Sequence, residues 1–385
     1  MKIIAMDIGG ANIKIFNGTE YKQYYFPLWK KKNKFMSFLQ QLTERADLNA
    51  DVYAITMTAE LCDCFKDRRE GVKFILNALK EILDKKNFVT SLRSGTFKNR
   101  LKVLSNDTNF KLIDIDKAMK FPYNVASANF IATAEYISKF EKNAIIIDIG
   151  STTTDIIPIK DGKILAHRTD FERLKNNELV YTGVFRTNLI SISNKIKFKG
   201  KILKISAEYF ANTGDVYSVL GKISDGEYKT ETADGKGKST IECMRRIART
   251  VCCDFQNSKN FENIGAKRTY FQNEVLKTSE RKRGGLIEDE DKIYGIADMN
   301  ERKSKISKDE IIKIAEYFKN EQIKKINKAI ERQEKKYNIK KRFILGAGKF
   351  LYNDLNALLT YADLSAVTAL YFLTSDLIKI RKIIS

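Results

Sequence analysis

Apolar residues recur along this chain with two periods, and the places where the period changes lay out its elements. Short runs rich in β-branched and aromatic residues predict strands at Ile3–Met6, Ile13–Asn17 and Tyr21–Phe26. Spacings of three and four predict helices near Lys34–Ala46 and over Glu70–Lys86, with strands at Val52–Met57 and around Phe88–Ser91. After a polar stretch, a helix at Asn124–Phe140 leads into strands at Ile145–Ile147, Asp155–Lys160 and Lys163–Ala166. Helices are expected again at Ala207–Leu220, Thr240–Phe255 and Ser307–Tyr337, and a last strand, Arg342–Gly346, enters Gly-Ala-Gly and a helix. Strands interleaved with helices make the fold class α/β, and strand–turn–strand openings in both halves make the sheets mixed. The apolar stretch from Leu355 carries Asp354, Asp363 and Asp376 in or beside it, so it reads as two buried helices and not as a membrane span.

One strand–turn–strand pattern occurs twice. KIIAMDIGGANIKIFNG spans residues 2–18 and NAIIIDIGSTTTDIIPIKDG spans 143–162, with Asp7 and Asp148 offset by 141 positions (148 − 7). This reads as an internal duplication, with a boundary near Phe140 that separates domains 1–140 and 141–385. In each copy an apolar strand delivers an aspartate to the carboxyl end of a sheet, where open α/β folds place ligands. Gly9, Gly10 and Gly150 let the backbone approach a ligand and expose its N–H groups. The first copy adds Ala11, Asn12 and Lys14; the second adds Ser151, Thr152, Thr153, Thr154 and the carboxylate of Asp155. Amides, hydroxyls and one lysine suit a phosphate chain, whereas carboxylates facing it need a cation between. The pair therefore predicts a Mg²⁺–phosphate site with Asp7 and Asp148 as metal ligands and Lys14, Asp148 and Asp155 as catalytic candidates. Neither copy has the spacing of a Walker loop or a dinucleotide fingerprint.

Composition changes this picture little. Hydrophobic content of 43% is that of a soluble globular chain, and 385 residues suggest two domains. Met1 leads directly into a strand, so no signal peptide is read and the expected location is the cytoplasm. Cys62 and Cys64, Cys243, and Cys252 and Cys253 lack zinc-knuckle spacing, and His167 is the only histidine, which argues for packing thiols and against a histidine base. Lys and Arg number 69 against 48 Asp and Glu, a net +21. Dense patches lie at Trp29–Lys34, Arg281–Arg283 and Ile323–Arg342. They read as solvated helix faces and as steering for anionic small molecules, with no nucleic-acid motif and no membrane partner.

The two turns with the later strand–Gly-Ala-Gly segment resemble the actin, sugar kinase and heat-shock chaperone ATPase superfamily. That resemblance implies two ribonuclease-H-like domains facing across a cleft. It makes Asp7–Lys14 and Asp148–Asp155 the phosphate segments, and Gly346, Ala347 and Gly348 an adenosine segment. A narrower resemblance rests on SANFIATAEYI (Ser127–Ile137), the second turn, TDFERLKNNELVYTGVFRTN (Thr169–Asn188) and AEYFANTGDVYSVLG (Ala207–Gly221). TADGKGKSTIECMRRIARTVCCDF (Thr232–Phe255) and GAGKFL (Gly346–Leu351) extend it. These are similar to the archaeal hydantoinase/oxoprolinase-related group, and within it to the methanofuran-biosynthesis family. That likeness implies condensation of 5-(aminomethyl)-3-furanmethyl diphosphate with γ-glutamyltyramine, releasing pyrophosphate, with Mg²⁺ and without ATP. The amino-acid head of the glutamyl substrate suits a bidentate guanidinium, and Arg186 is the candidate. Asp234 would face the site or belong to solvated surface. Arg245, Arg246 and Arg249 fall on a helix, where ion pairing competes with phosphate contact. Asn129 is a substrate-binding candidate that a helix cap or an interdomain hydrogen bond explains equally. Two other functions stay open: an ATP-dependent kinase or amide-ring hydrolase, and a non-catalytic nucleotide-gated binding protein.

Overall fold

The computed structural model describes residues 1–45, 50–88, 100–107, 109–256, 304–352 and 365–384. Its main elements, short helices aside, begin in chain order with β1 (Ile3–Ile8), β2 (Asn12–Phe16), β3 (Tyr21–Tyr25), α1 (Phe35–Arg45), β4 (Val52–Met57) and α2 (Arg68–Phe88). Next come β5 (Leu101–Leu104), β6 (Leu112–Asp114), α3 (Asn129–Ser138), β7 (Ala144–Ile149), β8 (Thr154–Lys160), β9 (Lys163–Ile164), α4 (Asp170–Lys175) and β10 (Leu179–Val180). The rest are β11 (Lys195–Phe198), β12 (Lys201–Lys204), α5 (Thr213–Val219), α6 (Thr240–Thr250), β13 (Asp254–Phe255), β14 (Lys305–Ile306), α7 (Lys308–Tyr337), β15 (Arg342–Leu345) and α8 (Ala366–Ile384).

Two mixed sheets carry the α/β fold. The first has the order β3-β2-β1-β4-β5-β6; β2 runs antiparallel to β1, while β4 and β5 run parallel to it. The second repeats the opening of that pattern as β10-β8-β7-β15, with β8 antiparallel to β7 and β15 parallel to it. Antiparallel β1–β2–β3 beside parallel β4 and β5 is the ribonuclease-H-like arrangement, and the second sheet repeats its start.

Compactness divides the chain into Met1–Gly183 with Lys325–Ser385, which holds both sheets, and Val184–Lys324. The repeat-based division near residue 140 falls between the two sheets. In the first unit, Ile4, Met6 and Ile8 of β1 pack with α1 and α2 in one core. Ala5, Phe16 and Ala54 belong to a second core with Ile146, Ile157, α3 and α8. Side chains alternate along a strand, so Asp7 shares the face of Ala5, and Lys14 that of Phe16. Asp148 likewise shares the face of Ile146, and Asp155 that of Ile157. Burying those faces in one core brings the four residues toward one place.

The second unit contains the β11–β12 hairpin, α5 and α6. Its interior, otherwise largely apolar, contains a polar network: Arg246 donates to Asp215 Oδ1 at 2.8 Å and to Asp234 Oδ1 at 3.0 Å, and the Tyr228 hydroxyl donates to Asn212 Oδ1 at 2.7 Å.

Several boundaries correct the sequence expectation. α2 continues to Phe88, so no strand starts there, and residues 89–91 lie outside the described residues. β5 and β6 emerge from the stretch read only as polar. α3 begins at Asn129, because Pro122–Asn124 form a separate 3-10 turn and Ser127 takes φ +49°. α5 starts at Thr213, where Asn212 and Asp215 close a capping box, leaving Ala207–Asn212 non-helical. α6 stops at Thr250, and Asp254–Phe255 pair with Lys305–Ile306 as strands. Arg281–Arg283 and residues 355–364 lie outside the described residues, while α8 follows them as one helix that buries Val367, Ala369, Leu370 and Leu373. All five cysteines remain thiols. Among the described residues no helix is long and apolar enough to cross a membrane.

Candidate active site

The duplicated turns close in the same way. The Gly9 N–H donates to the Asn12 carbonyl at 2.9 Å, and the Gly150 N–H donates to the Thr153 carbonyl at 2.9 Å. The strand registers match as well, since Asp7 lies opposite Lys14 and Asp148 opposite Asp155. One structural position thus carries a cation in the first copy and a third carboxylate in the second.

Lys14 Nζ donates to Asp7 Oδ2 at 3.1 Å. The Asp7 carboxylate holds the Lys14 ammonium well above its ordinary range, against the opposing effect of burial, and the charge of Asp148 adds to the rise. Burial pushes the Asp148 carboxyl up to about 6; the charges of Asp155 and Asp7 push the same way, and Lys14 opposes them. Asp155 is also raised by burial, although Arg173 counteracts this. These mutual influences place Asp7, Lys14, Asp148 and Asp155 in one electrostatic neighbourhood.

The donor set fits Mg²⁺. Asp7 Oδ1 and Asn12 Oδ1 are buried acceptors without a protein partner among the described residues. Three carboxylates against the two cations Lys14 and Arg173 leave one net negative charge when all are ionised, which repels a phosphate and attracts a cation. Among the described residues no three His, Cys, Asp or Glu side chains converge as a complete cage. Mg²⁺ commonly uses one or two carboxylates, with water and substrate phosphate completing its shell.

The other sequence candidates fall into three groups. Ser151 and Thr152 stand half-exposed at the second turn, their hydroxyl oxygens 3.4 Å apart, whereas Thr154 is fully buried and donates to the Thr182 carbonyl at 2.7 Å. Thr154 therefore braces the turn from inside. Gly10, Ala11 and Thr153 complete the two turns, with the Gly10 and Ala11 carbonyls accepting from the Leu28 and Phe26 amides at 2.9 Å each.

Gly346 adopts φ +83°, and a Cβ there would stand 2.4 Å from Asp148 Oδ1 and 2.5 Å from the Ile149 carbonyl oxygen. The Gly348 N–H donates to that same carbonyl at 2.9 Å, so the Gly346–Gly348 segment is laced to the second turn, with Ala347 exposed between. Asn129 opens α3, half-buried.

Arg186, half-buried, and Asp234 belong to the second unit. Asp234 accepts from Arg246 at 3.0 Å and from Arg249 Nη1 at 3.2 Å, which confirms ion pairing for those two arginines. Burial opposes the result, but the Lys236 amide and Arg246 hold Asp234 below the usual carboxylate range.

Sequence reading missed several residues that shape the site. Arg173, buried on α4, donates to Asp155 and lies 3.9 Å from the centre of the Phe130 ring. Gly183 packs so tightly that a Cβ there would stand 2.5 Å from the Ser151 carbonyl carbon and the Thr152 nitrogen. Both lie in TDFERLKNNELVYTG, where nothing local distinguishes Arg173 from a solvated helical arginine. His167 is held by Glu178, whose Oε1 lies 2.8 Å from its Nδ1.

Comparison with known proteins gave these likenesses. A family model described as hydantoinase/oxoprolinase matches residues 51–359. A protein of Methanocaldococcus jannaschii named (4-{4-[2-(gamma-L-glutamylamino)ethyl]phenoxymethyl}furan-2-yl)methanamine synthase is 40% identical over 267 residues, 68% of this chain and 75% of that one. A protein of the same name from Methanococcus vannielii is 46% identical over 140 residues, 36% of this chain and 63% of that one. Among solved structures, MreB5 of Spiroplasma citri bound to ADP superposes with a TM-score of 0.37 at 11% identity, covering 99% of this chain and 97% of that one. A ROK family protein from Streptococcus pneumoniae in complex with sucrose gives a TM-score of 0.36 at 11% identity, covering 98% and 100%.

Proposed function

Because the chain belongs to the hydantoinase/oxoprolinase family, we propose that it makes the furan–tyramine ether named in its methanogen relatives, as a step of methanofuran biosynthesis. The substrates are 5-(aminomethyl)-3-furanmethyl diphosphate and γ-glutamyltyramine, and the products are the ether and pyrophosphate. The observation that carries this reading is the duplicated turn, whose two copies bring Asp7, Lys14, Asp148 and Asp155 into one electrostatic neighbourhood.

In the reaction the bond from the furan methylene carbon to the diphosphate oxygen breaks, and its electron pair leaves with pyrophosphate. The phenolic oxygen forms the new bond to that carbon and loses its proton. Asp7, through its unpartnered Oδ1, and Asp148 would hold Mg²⁺, which when bound neutralises charge on the diphosphate leaving group. Lys14 and the hydroxyls of Ser151, Thr152 and Thr153 meet the phosphate oxygens, with the turn amides beside them. Asp155 accepts the phenolic proton. A free phenol has a pKa of about 10, but its oxygen becomes far more acidic as the new bond forms. Arg186 grips the α-carboxylate of the glutamyl head, which its fork suits.

The test uses two reactions with Mg²⁺. One contains the furan diphosphate and γ-glutamyltyramine; the other contains ATP, γ-glutamyltyramine and the unphosphorylated furan alcohol. Pyrophosphate and an ether of the coupled mass are expected in the first alone. ADP or AMP formed with ether in the second alone would overturn the proposal in favour of an ATP-using enzyme.

A further inference from the structure

A line of buried polar side chains runs from the end of β4 to the second turn. Glu60, in the single turn after β4, is 1% exposed. Ser127 precedes α3 in the left-handed region, and its hydroxyl oxygen lies 2.8 Å from Glu60 Oε1 and 2.8 Å from Asp170 Oδ2. Asp170 Oδ2 also accepts from Arg68 Nη2 at 3.1 Å, and Asp170 Oδ1 lies 3.5 Å from Arg173 Nη1. The other terminal nitrogen of Arg173 donates to Asp155.

Counting protons fixes the charges along this line. A serine hydroxyl has one proton, so it can donate to only one of two carboxylate oxygens at 2.8 Å. The second oxygen would then face a lone pair at contact distance, unless it carries a proton of its own. Arg68 and Arg173 both flank Asp170 with their guanidinium groups, which makes its Oδ2 the better acceptor for the serine proton. The proton therefore belongs on Glu60 Oε1, which donates to Ser127, which donates to Asp170. Glu60 Oε2 is buried with no partner among the described residues. That is tolerable for the carbonyl oxygen of a neutral acid and costly for half of a carboxylate. Burial raises the Glu60 carboxyl and the charge of Asp170 adds to this, while the Ser127 hydrogen bond and Arg68 oppose it. A serine held at φ +49° costs conformational energy, and such strain collects where a side chain must reach a set place.

We infer that Glu60 is a neutral acid in the working protein, and that Glu60 and Ser127 are positioning residues which, through Asp170 and Arg173, fix the carboxylate of Asp155. This rests on the reading of Asp155 as the proton acceptor of the proposed reaction. The charged groups facing Glu60 are Asp170 from α4 and Arg68 from α2, with Arg173 behind Asp170. When Glu60 ionises at high pH it stops donating to Ser127. Two carboxylates then compete for one hydroxyl proton, and the hold on Asp155 loosens.

Difference infrared spectroscopy of wild type against Glu60→Gln tests the charge state without turnover. The band of an un-ionised carboxyl is expected at neutral pH and is lost in the variant; its absence from wild type overturns the inference. The Asp155 carboxylate stretch, identified with Asp155→Asn, is expected to shift in Ser127→Gly, a substitution that also suits the positive φ; an unmoved stretch refutes positioning.

In the coupling assay, Glu60→Ala and Ser127→Gly should lower kcat by about 10–100-fold, the usual scale for residues that orient a functional group, with KM for the furan diphosphate little changed. Glu60→Gln, whose amide still donates to Ser127, should recover most of that loss and remove the alkaline decline in kcat. A glutamine as damaging as alanine, or an alkaline limb that persists in it, overturns the inference. If wild type couples nothing, the proposed reaction fails, while the two infrared bands still decide the roles of Glu60 and Ser127.

Discussion

Asp148→Asn removes one charge from the centre of the site while changing its volume little, and it should make the metal-free protein both more stable and inactive. Burial and the neighbouring carboxylates raise Asp148 from 3.8 to about 6. Between those values the folded chain holds a proton that the unfolded chain has released, so stability falls as pH rises through that window. A rise of roughly two units, each worth about 1.4 kcal/mol, makes the ionised side chain cost ~3 kcal/mol above the window. Its residual access to water trims this to ~2 kcal/mol. Asparagine does not titrate, so in EDTA at neutral pH the variant should unfold ~2 kcal/mol later than wild type. The difference should shrink to nothing below the ordinary carboxyl value of 3.8. Urea unfolding at paired pH values measures the gap, and the coupling assay with Mg²⁺ should show turnover lost. A variant less stable than wild type at neutral pH, or a gap that does not narrow on acidification, would refute the electrostatic account of the site.

Lys14→Met strands the buried Asp7 carboxylate; because Lys14 keeps some contact with water, the loss should be ~1–3 kcal/mol in urea unfolding, below the full cost of breaking a buried pair. An unchanged midpoint would show that the ion pair contributes nothing. Gly183→Ala drives a methyl into the backbone of Ser151 and Thr152 and should lower kcat at least tenfold, the change expected from a misplacement of about 1 Å. Near-normal turnover in a folded variant would mean that the second turn tolerates displacement. Arg186→Lys should raise KM for γ-glutamyltyramine more than it lowers kcat, since an ammonium cannot make the forked contact; an unmoved KM removes Arg186 from the substrate site.

What could be read from the sequence was whatever a short window contains. Each turn is a strand, a glycine and a strand within about twenty residues, so the 141-residue offset exposes the duplication in the sequence alone. The face carrying Asp7, Lys14, Asp148 and Asp155 follows from strand alternation alone once Ala5, Phe16, Ile146 and Ile157 are known to share a core. That shared core is a tertiary fact, and no window reports it. Helix ends were legible only where a local device marks them. The Asn212 capping box does so in hindsight, while the break before α3 depends on Ser127 being held between two distant acids.

Arg173 shows why the remainder stayed hidden and what the duplication left unfinished. In the first turn the partner of the aspartate is a lysine in strand register, so the cation is local and visible. In the second turn the same register position is Asp155, and two adjacent carboxylates need a cation from elsewhere. α4 supplies it with a buried arginine whose own orientation depends on Asp170, and through Asp170 on Ser127 and Glu60. The divergence of one position, lysine to aspartate, thus makes the two turns chemically unequal. One turn carries its own neutralising charge and is suited to meeting phosphate oxygens. The other holds an extra carboxylate that a borrowed guanidinium keeps in place, and it is this inequality that the proposed reaction uses, releasing an anion and taking up a proton.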